Sequence, residues 1–223
     1  MTDRLRPLAA EALGTAILVA TVVGSGIMAQ RLTTDIGLAL LANTIATGAI
    51  LVVLIGILAP LSGAHFNPAV TLVMALRRQL SAGDAALYMV CQIGGAMLGT
   101  LIAHLMFDLP LLSAYADPRT GPSQWLSEAV ATFGLLLTIL LSLKHPAEQI
   151  ALRVGLYITA AYWFTASTSY ANPAVTIGRA LTSSFAGIGP ADVPGFILAQ
   201  IVGALLALGV TAWLLRPTMK VSP

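Results

Sequence analysis

His65-Phe66-Asn67-Pro68-Ala69-Val70-Thr71 and Tyr170-Ala171-Asn172-Pro173-Ala174-Val175-Thr176 carry the same five residues, Asn-Pro-Ala-Val-Thr, at two widely separated places. Small and polar residues precede each copy (Ser62-Gly63-Ala64 and Ser167-Thr168-Ser169), and an apolar run follows. Asn caps a helix by accepting from its first free N–H groups, and Pro suits the first helical position, where no N–H partner is needed. Each copy therefore predicts a helix whose unpaired N–H groups and positive dipole end lie at the Asn.

The surroundings of these two starts are a membrane. The chain is 57% hydrophobic and 9% charged, with mean hydropathy +0.89, against about 25% charge in soluble domains. Its apolar runs reach the roughly 20 residues that cross a bilayer. The first run is too long for a signal-peptide core and has no evident cleavage site. A net charge of +2 points away from nucleic acid. The single cysteine, Cys91, excludes an intrachain disulfide and a cysteine metal site. No cofactor and no metal is expected.

Outward from the two motifs the chain divides into six spanning segments: about 8–30, 36–59, 84–107, 124–143, 150–165 and 193–215. Short apolar helices are expected over about 68–76 and 173–183. The order repeats, once over about 8–107 and again over about 124–216, within one channel domain covering 1–223. Ala10-Glu11-Ala12-Leu13-Gly14-Thr15 parallels Ser127-Glu128-Ala129-Val130-Ala131-Thr132, and Cys91-Gln92-Ile93-Gly94-Gly95-Ala96 parallels Ala199-Gln200-Ile201-Val202-Gly203-Ala204. Three crossings per half force the halves into opposite orientations. Inverted repeats with broken helices place their site near the midplane. Non-helical backbone at that depth is tolerated only inside protein or beside water, so the short helices are expected to enter from opposite faces and meet at their Asn ends around an aqueous pore. Arg4, Arg6, Arg77, Arg78, Lys144, Arg153, Arg216 and Lys220 fall on one side of this topology, and Arg31, Arg119 and Arg179 on the other. The imbalance puts both termini in the cytoplasm.

These residues resemble the aquaporin, or major intrinsic protein, family. The resemblance is carried by the paired Asn-Pro-Ala motifs, by Ser62-Gly63-Ala64-His65 before the first, by Ala10-Glu11 with Leu13-Gly14-Thr15, and by the Gln92 and Gln200 patterns. It implies an all-α membrane protein of six spanning helices and two re-entrant half-helices. It also implies a pore in each subunit, a homotetramer, and passive passage of small uncharged solutes across the bilayer of a bacterial plasma membrane. Asn67, Pro68, Ala69, Asn172, Pro173 and Ala174 would form the pore waist, with both Asn amides donating to the passing solute. Most family members carry Arg directly after the second motif, and here that residue is Val175. By offset from the motifs, the rest of the selectivity constriction falls on Thr47, Ala160 and Ser169. An arginine is one of the barriers by which such pores select, so this set implies a wider, less positive mouth. The string from Asn172 to Arg179 is similar to bacterial aquaporins associated with arsenic resistance, which implies arsenite and methylated arsenicals as solutes beside water and glycerol.

Glu11 and Glu128 are intramembrane carboxylates, expected to hold the loops ahead of the half-helices, with a proton relay as the alternative. His65 is expected to brace its loop, a pH gate being the alternative. His104 and His145 share neither segment nor motif with it. Arg179, four residues after Val175, is expected to face the last carbonyls of its helix or solvent; reaching back to the mouth is the alternative. Gly95, Gly99, Gly203 and Gly209 are read as packing glycines. A coupled secondary transporter and a mainly water-selective channel are the competing functions. A transporter would require a titratable or sodium-binding cluster at the waist, where the sequence has neutral Asn. No nucleophile, carboxylate pair or phosphate loop suggests an enzyme.

Overall fold

The computed structural model describes residues 2–113 and 118–216, so Lys220 and the middle of the loop before the fourth segment lie outside the described residues. Among them are eight α-helices: α1 (Thr2–Leu32), α2 (Ile36–Ser62), α3 (Pro68–Leu76), α4 (Ala82–Met106), α5 (Pro122–Ser142), α6 (Ala147–Phe164), α7 (Pro173–Arg179) and α8 (Val193–Leu214). At 1.5 Å per residue, α3 and α7 are about 13 and 10 Å long, less than half of a hydrocarbon core about 30 Å thick. Five of the long helices are long and apolar enough to span. The remaining one, α6, has 18 residues and carries Glu148 and Arg153. It is about 27 Å long, lies against α2 and α5, and turns Arg153 inward, where Nη1 donates to Ser142 Oγ at 3.0 Å.

Polarity is arranged for lipid. Val90, Leu98, Leu105, Leu198, Leu206 and Trp213 are exposed, while Glu11, Gln92, Glu128 and Gln200 are wholly buried. Outward faces of this composition suit hydrocarbon, where polar groups must find partners inside. The two closest helix pairs are equivalent in the two halves, α1 with α4 and α5 with α8. Glycine permits both crossings: a Cβ on Gly95 would run into Ala12 O, and one on Gly203 into Ala129 O. Gly99 packs likewise against Ala16 O. Gly209 does not, because a Cβ there meets nothing within 4 Å; it sits on the outer face.

The second half-helix is shorter than the sequence suggests, ending at Arg179 instead of Ser183. The chain beyond it is captured by side chains. Thr182 Oγ1 accepts from Ser184 N at 3.2 Å and lies 2.8 Å from His104 Nε2. Ser183 N donates to Ser113 Oγ at 2.9 Å. Local side-chain bonds of this kind compete with helix continuation. The body of α7 is fixed to α4, where Thr100 Oγ1 donates to Gly178 O at 2.8 Å.

Candidate functional site: a conduit between two half-helix tips

Both loops ahead of the half-helices adopt an unusual backbone. Gly63, Ala64 and Phe66 have φ of 84°, 50° and 50°, and Thr168, Ser169 and Ala171 have φ of 60°, 51° and 48°. These are the same three positions before Asn67 and Asn172. Only the first copy uses glycine, so five non-glycine residues sit in the left-handed region, at an order-of-magnitude cost of about 1–3 kcal/mol each. The conformation turns consecutive backbone N–H groups toward one carboxylate. Glu11 accepts from Ser62 Oγ (2.6 Å), His65 N (2.9 Å), Phe66 N (2.7 Å) and Gln92 Nε2 (2.7 Å). Glu128 accepts from Ser167 Oγ (2.6 Å), Tyr170 N (2.9 Å), Ala171 N (2.9 Å) and Gln200 Nε2 (2.6 Å). Each glutamine donates its other N–H to the threonine ending the motif, Thr71 or Thr176, at 2.9 Å. With four donors on each buried carboxylate, the sites match anions locked in place by charge-assisted hydrogen bonds.

The half-helices begin as their sequence predicts. Asn67 Oδ1 accepts from Ala69 N at 2.9 Å; Asn172 Oδ1 accepts from Ala174 N at 2.9 Å and Val175 N at 3.2 Å. Pro68 and Pro173 occupy the first turn. The amide nitrogens cross between the halves. Asn67 Nδ2 donates to Ala171 O, and Asn172 Nδ2 to Phe66 O, both at 2.8 Å. The tips therefore abut, each amide fastening the opposite loop. An amide has two N–H donors, so one per Asn is spent on this seam, and the other is the most each can offer a solute.

Beside the seam lies a cavity of about 60 Å³. A void needs roughly 10–15 Å³ of this measure per water, so the space admits a short file of small molecules. Asn67 and Asn172 line it together with Leu18 and Val22 of α1, Leu51 and Ile55 of α2, Leu135 and Ile139 of α5, and Val154 and Ile158 of α6. A second cavity of about 200 Å³ shares Ile55, Ala64, His65, Val70, Ile139 and Val154 with it and extends past Met74 to Gln79 and Ala147. The two adjoin along these shared residues. The second reaches Gln79, beside Arg77 and Arg78; in the first, Thr47, Tyr162, Ser169, Val175 and Arg179 belong to the lining, where the neck is expected.

Three of the four positions expected at the constriction, Thr47, Ser169 and Val175, line the first cavity. The fourth does not. Ala160 is exposed on the outer face of α6. Two residues on a helix are about 200° apart, so the residues on either side of it by two, Ile158 and Tyr162, face the cavity instead. Tyr162 Oη donates to Thr47 Oγ1 at 3.3 Å. Counting back from Asn172 fails because the loop between α6 and α7 sets the phase. The i, i+4, i+8 apolar series Val154, Ile158, Tyr162 is the signal that finds the correct face.

His65 borders both cavities. Its Nδ1 lies 3.1 Å from Thr71 Oγ1 and its ring meets Tyr88 edge-on at 5.5 Å. Arg179 departs from expectation. It neither caps its own helix nor reaches solvent: it is 2% exposed, its Nε donates to Ala186 O, and its guanidinium carbon lies 3.4 Å from the Tyr170 ring centroid.

Spanning helices interrupted by two half-helices that meet tip to tip beside internal cavities have the architecture of a membrane channel. The sequence profile described as Major intrinsic protein matches residues 1–149. The chain is similar to Aquaglyceroporin AqpS of Rhizobium meliloti (strain 1021), 60% identical over 219 residues that cover 98% of this chain and 94% of that protein. Glycerol uptake facilitator protein-like 6 of Lactiplantibacillus plantarum is 32% identical, with 91% and 95% of the two chains covered. The aquaglyceroporin structure from Plasmodium falciparum superposes with a TM-score of 0.77 over 96% of this chain and 98% of that one; at 22% identity this match speaks to the fold. The chain belongs to the major intrinsic protein family: it is an integral membrane channel and not an enzyme.

Proposed function

We propose that this channel passes small uncharged solutes passively: water, glycerol-like polyols, and neutral metalloids such as arsenous acid and methylated arsenicals. The observation that carries the reading is the neck. Thr47, Ser169 and Val175 all line it, and Val175 stands where the family resemblance leads one to expect an arginine. A β-branched apolar side chain there is shorter than arginine and carries none of its five N–H donors. The high identity to a protein named aquaglyceroporin supports the polyol arm.

Asn67, Pro68, Ala69, Asn172, Pro173 and Ala174 form the waist, with Ile158 and Tyr162 replacing Ala160 in the wall of the conduit. Glu11, Glu128 and His65 support the loops. Two opposed helix starts, each roughly half a positive charge, disfavour cations at the seam. The chain acts as one channel domain, assembled as a homotetramer in a bacterial plasma membrane with both termini inside.

The test is a stopped-flow panel on proteoliposomes for water, glycerol and arsenite. All three should equilibrate faster than in empty vesicles, without saturation and without an ion gradient. Val175→Arg should cut glycerol and arsenite permeability at least about tenfold, the factor that 1.4 kcal/mol of added barrier produces, while retaining water. Saturable or gradient-dependent flux would point to a coupled transporter, and a wild-type protein impermeable to glycerol and arsenite would overturn the reading.

A further inference from the structure

Val175 leaves the neck without its usual arginine, but not without a guanidinium. We infer that Arg179 is a fixed cation of this neck, delivered from one helical turn further along α7, with the Arg119 guanidinium 5.7 Å from the same Tyr170 ring beside it. Resting on the channel reading above, the inference assigns Arg179 a part in selecting neutral, oxygen-rich solutes. Residues four apart share a helix face, and Val175 and Arg179 line the same cavity. The side chain is held in place. Nε donates to Ala186 O, and the guanidinium lies on the Tyr170 ring at 3.4 Å. That ring is itself pinned, since its hydroxyl donates to Gly187 O at 2.7 Å, lies 3.1 Å from Ala186 O, and the ring packs T-shaped against Phe196 at 5.3 Å.

A buried guanidinium ordinarily requires a carboxylate. Arg179 has none: the ion pair among the described residues is Arg4–Asp84, and the nearby Glu128 is occupied by four donors. The terminal nitrogens of Arg179 form no hydrogen bond with any described residue, yet they are not among the buried polar atoms sealed off without a partner. What remains open to them in a side chain 2% exposed is the cavity. The guanidinium thus offers N–H donors to a solute rich in oxygen acceptors, and a positive charge to any approaching cation.

The experiment places a thiol in the neck and reads the local field. In a Cys91→Ala background, Val175→Cys, one turn before Arg179 on the cavity lining, is alkylated with iodoacetate and with iodoacetamide, which are similar in size and differ in charge. Their rate ratio is normalised to that of free cysteine at the same pH, so a changed thiol pKa cancels. With Arg179 present the normalised ratio should be about tenfold above one, the attraction expected between unit charges several ångströms apart in a partly wet site. Adding Arg179→Met should return it toward one and raise potassium leak through proteoliposomes. A normalised ratio at or below one in the single-cysteine protein overturns the inference, and does so whether or not the Arg179→Met protein folds. Wild-type glycerol flux measured in parallel separates the two failures: flux with a ratio near one removes the role of Arg179 alone, and absent flux removes the channel reading beneath it.

Discussion

Replacing Glu128 by Gln separates a loop-holding carboxylate from a proton-relaying one. In the wild type, one carboxylate oxygen accepts from Ser167 Oγ and Tyr170 N, and the other from Ala171 N and Gln200 Nε2. Glutamine keeps one acceptor oxygen and puts an NH2 group against two former donors. Gln200 can adapt, because its Oε1 is unpartnered and can rotate to accept, though it then gives up its bond to Thr176. One backbone N–H has no such recourse. An orphaned buried donor costs about 1–3 kcal/mol, and loss of charge assistance on the remaining pair adds about 1 kcal/mol each. A total of about 3–5 kcal/mol corresponds to a fall in Tm of roughly 6–20 °C for a chain of this size. The assay is thermal unfolding of the purified protein in detergent, with permeability measured per correctly folded channel. The solute order should be unchanged. Glu11→Gln should cost a similar amount, since its four donors are equivalent. A Tm within about 2 °C of wild type, or a changed proton flux without destabilisation, would refute the reasoning.

Four further outcomes are expected. Ala160→Leu should leave glycerol permeability within about twofold, as a change on a lipid-facing surface is worth about 0.5 kcal/mol or less. Ile158→Trp, on the lining face, should abolish it in the same vesicle assay. Gly203→Val should prevent a monodisperse fold by size-exclusion chromatography, because its Cβ meets the backbone of Ala129 rather than a movable side chain; Gly209→Val should be tolerated with a Tm shift of about 2 °C or less.

What the sequence made legible follows from which features are local. Pro68 and Pro173 mark the half-helix starts to the residue, because a proline in the first turn and an Asn cap act within three positions. Glu11 and Glu128 could be singled out because a charge in an apolar run has to be partnered. The end of α7 could not be read, since it depends on His104 and Ser113, about 70 to 80 residues away in sequence. Ala160 was misplaced by an offset crossing a loop, whereas the buried series on α6 keeps its phase. Arg179 looked like an ordinary helix-end cation. Only the packing of Tyr170 and the turn at Ala186 shows it drawn inward.

The crossed amide bonds at the waist have a consequence for assembly. Every donor to Glu11 comes from residues before 107, so the first loop can be seated by its own half while the rest of the chain is still being synthesised. The Asn67 amide, by contrast, must wait for Ala171 O, and until that acceptor arrives the half-made pore exposes a polar tip inside the bilayer. Insertion of the later helices is thus what seals the early ones, and a chain interrupted between Met106 and Pro122 should remain competent to join its two pieces if both are supplied together.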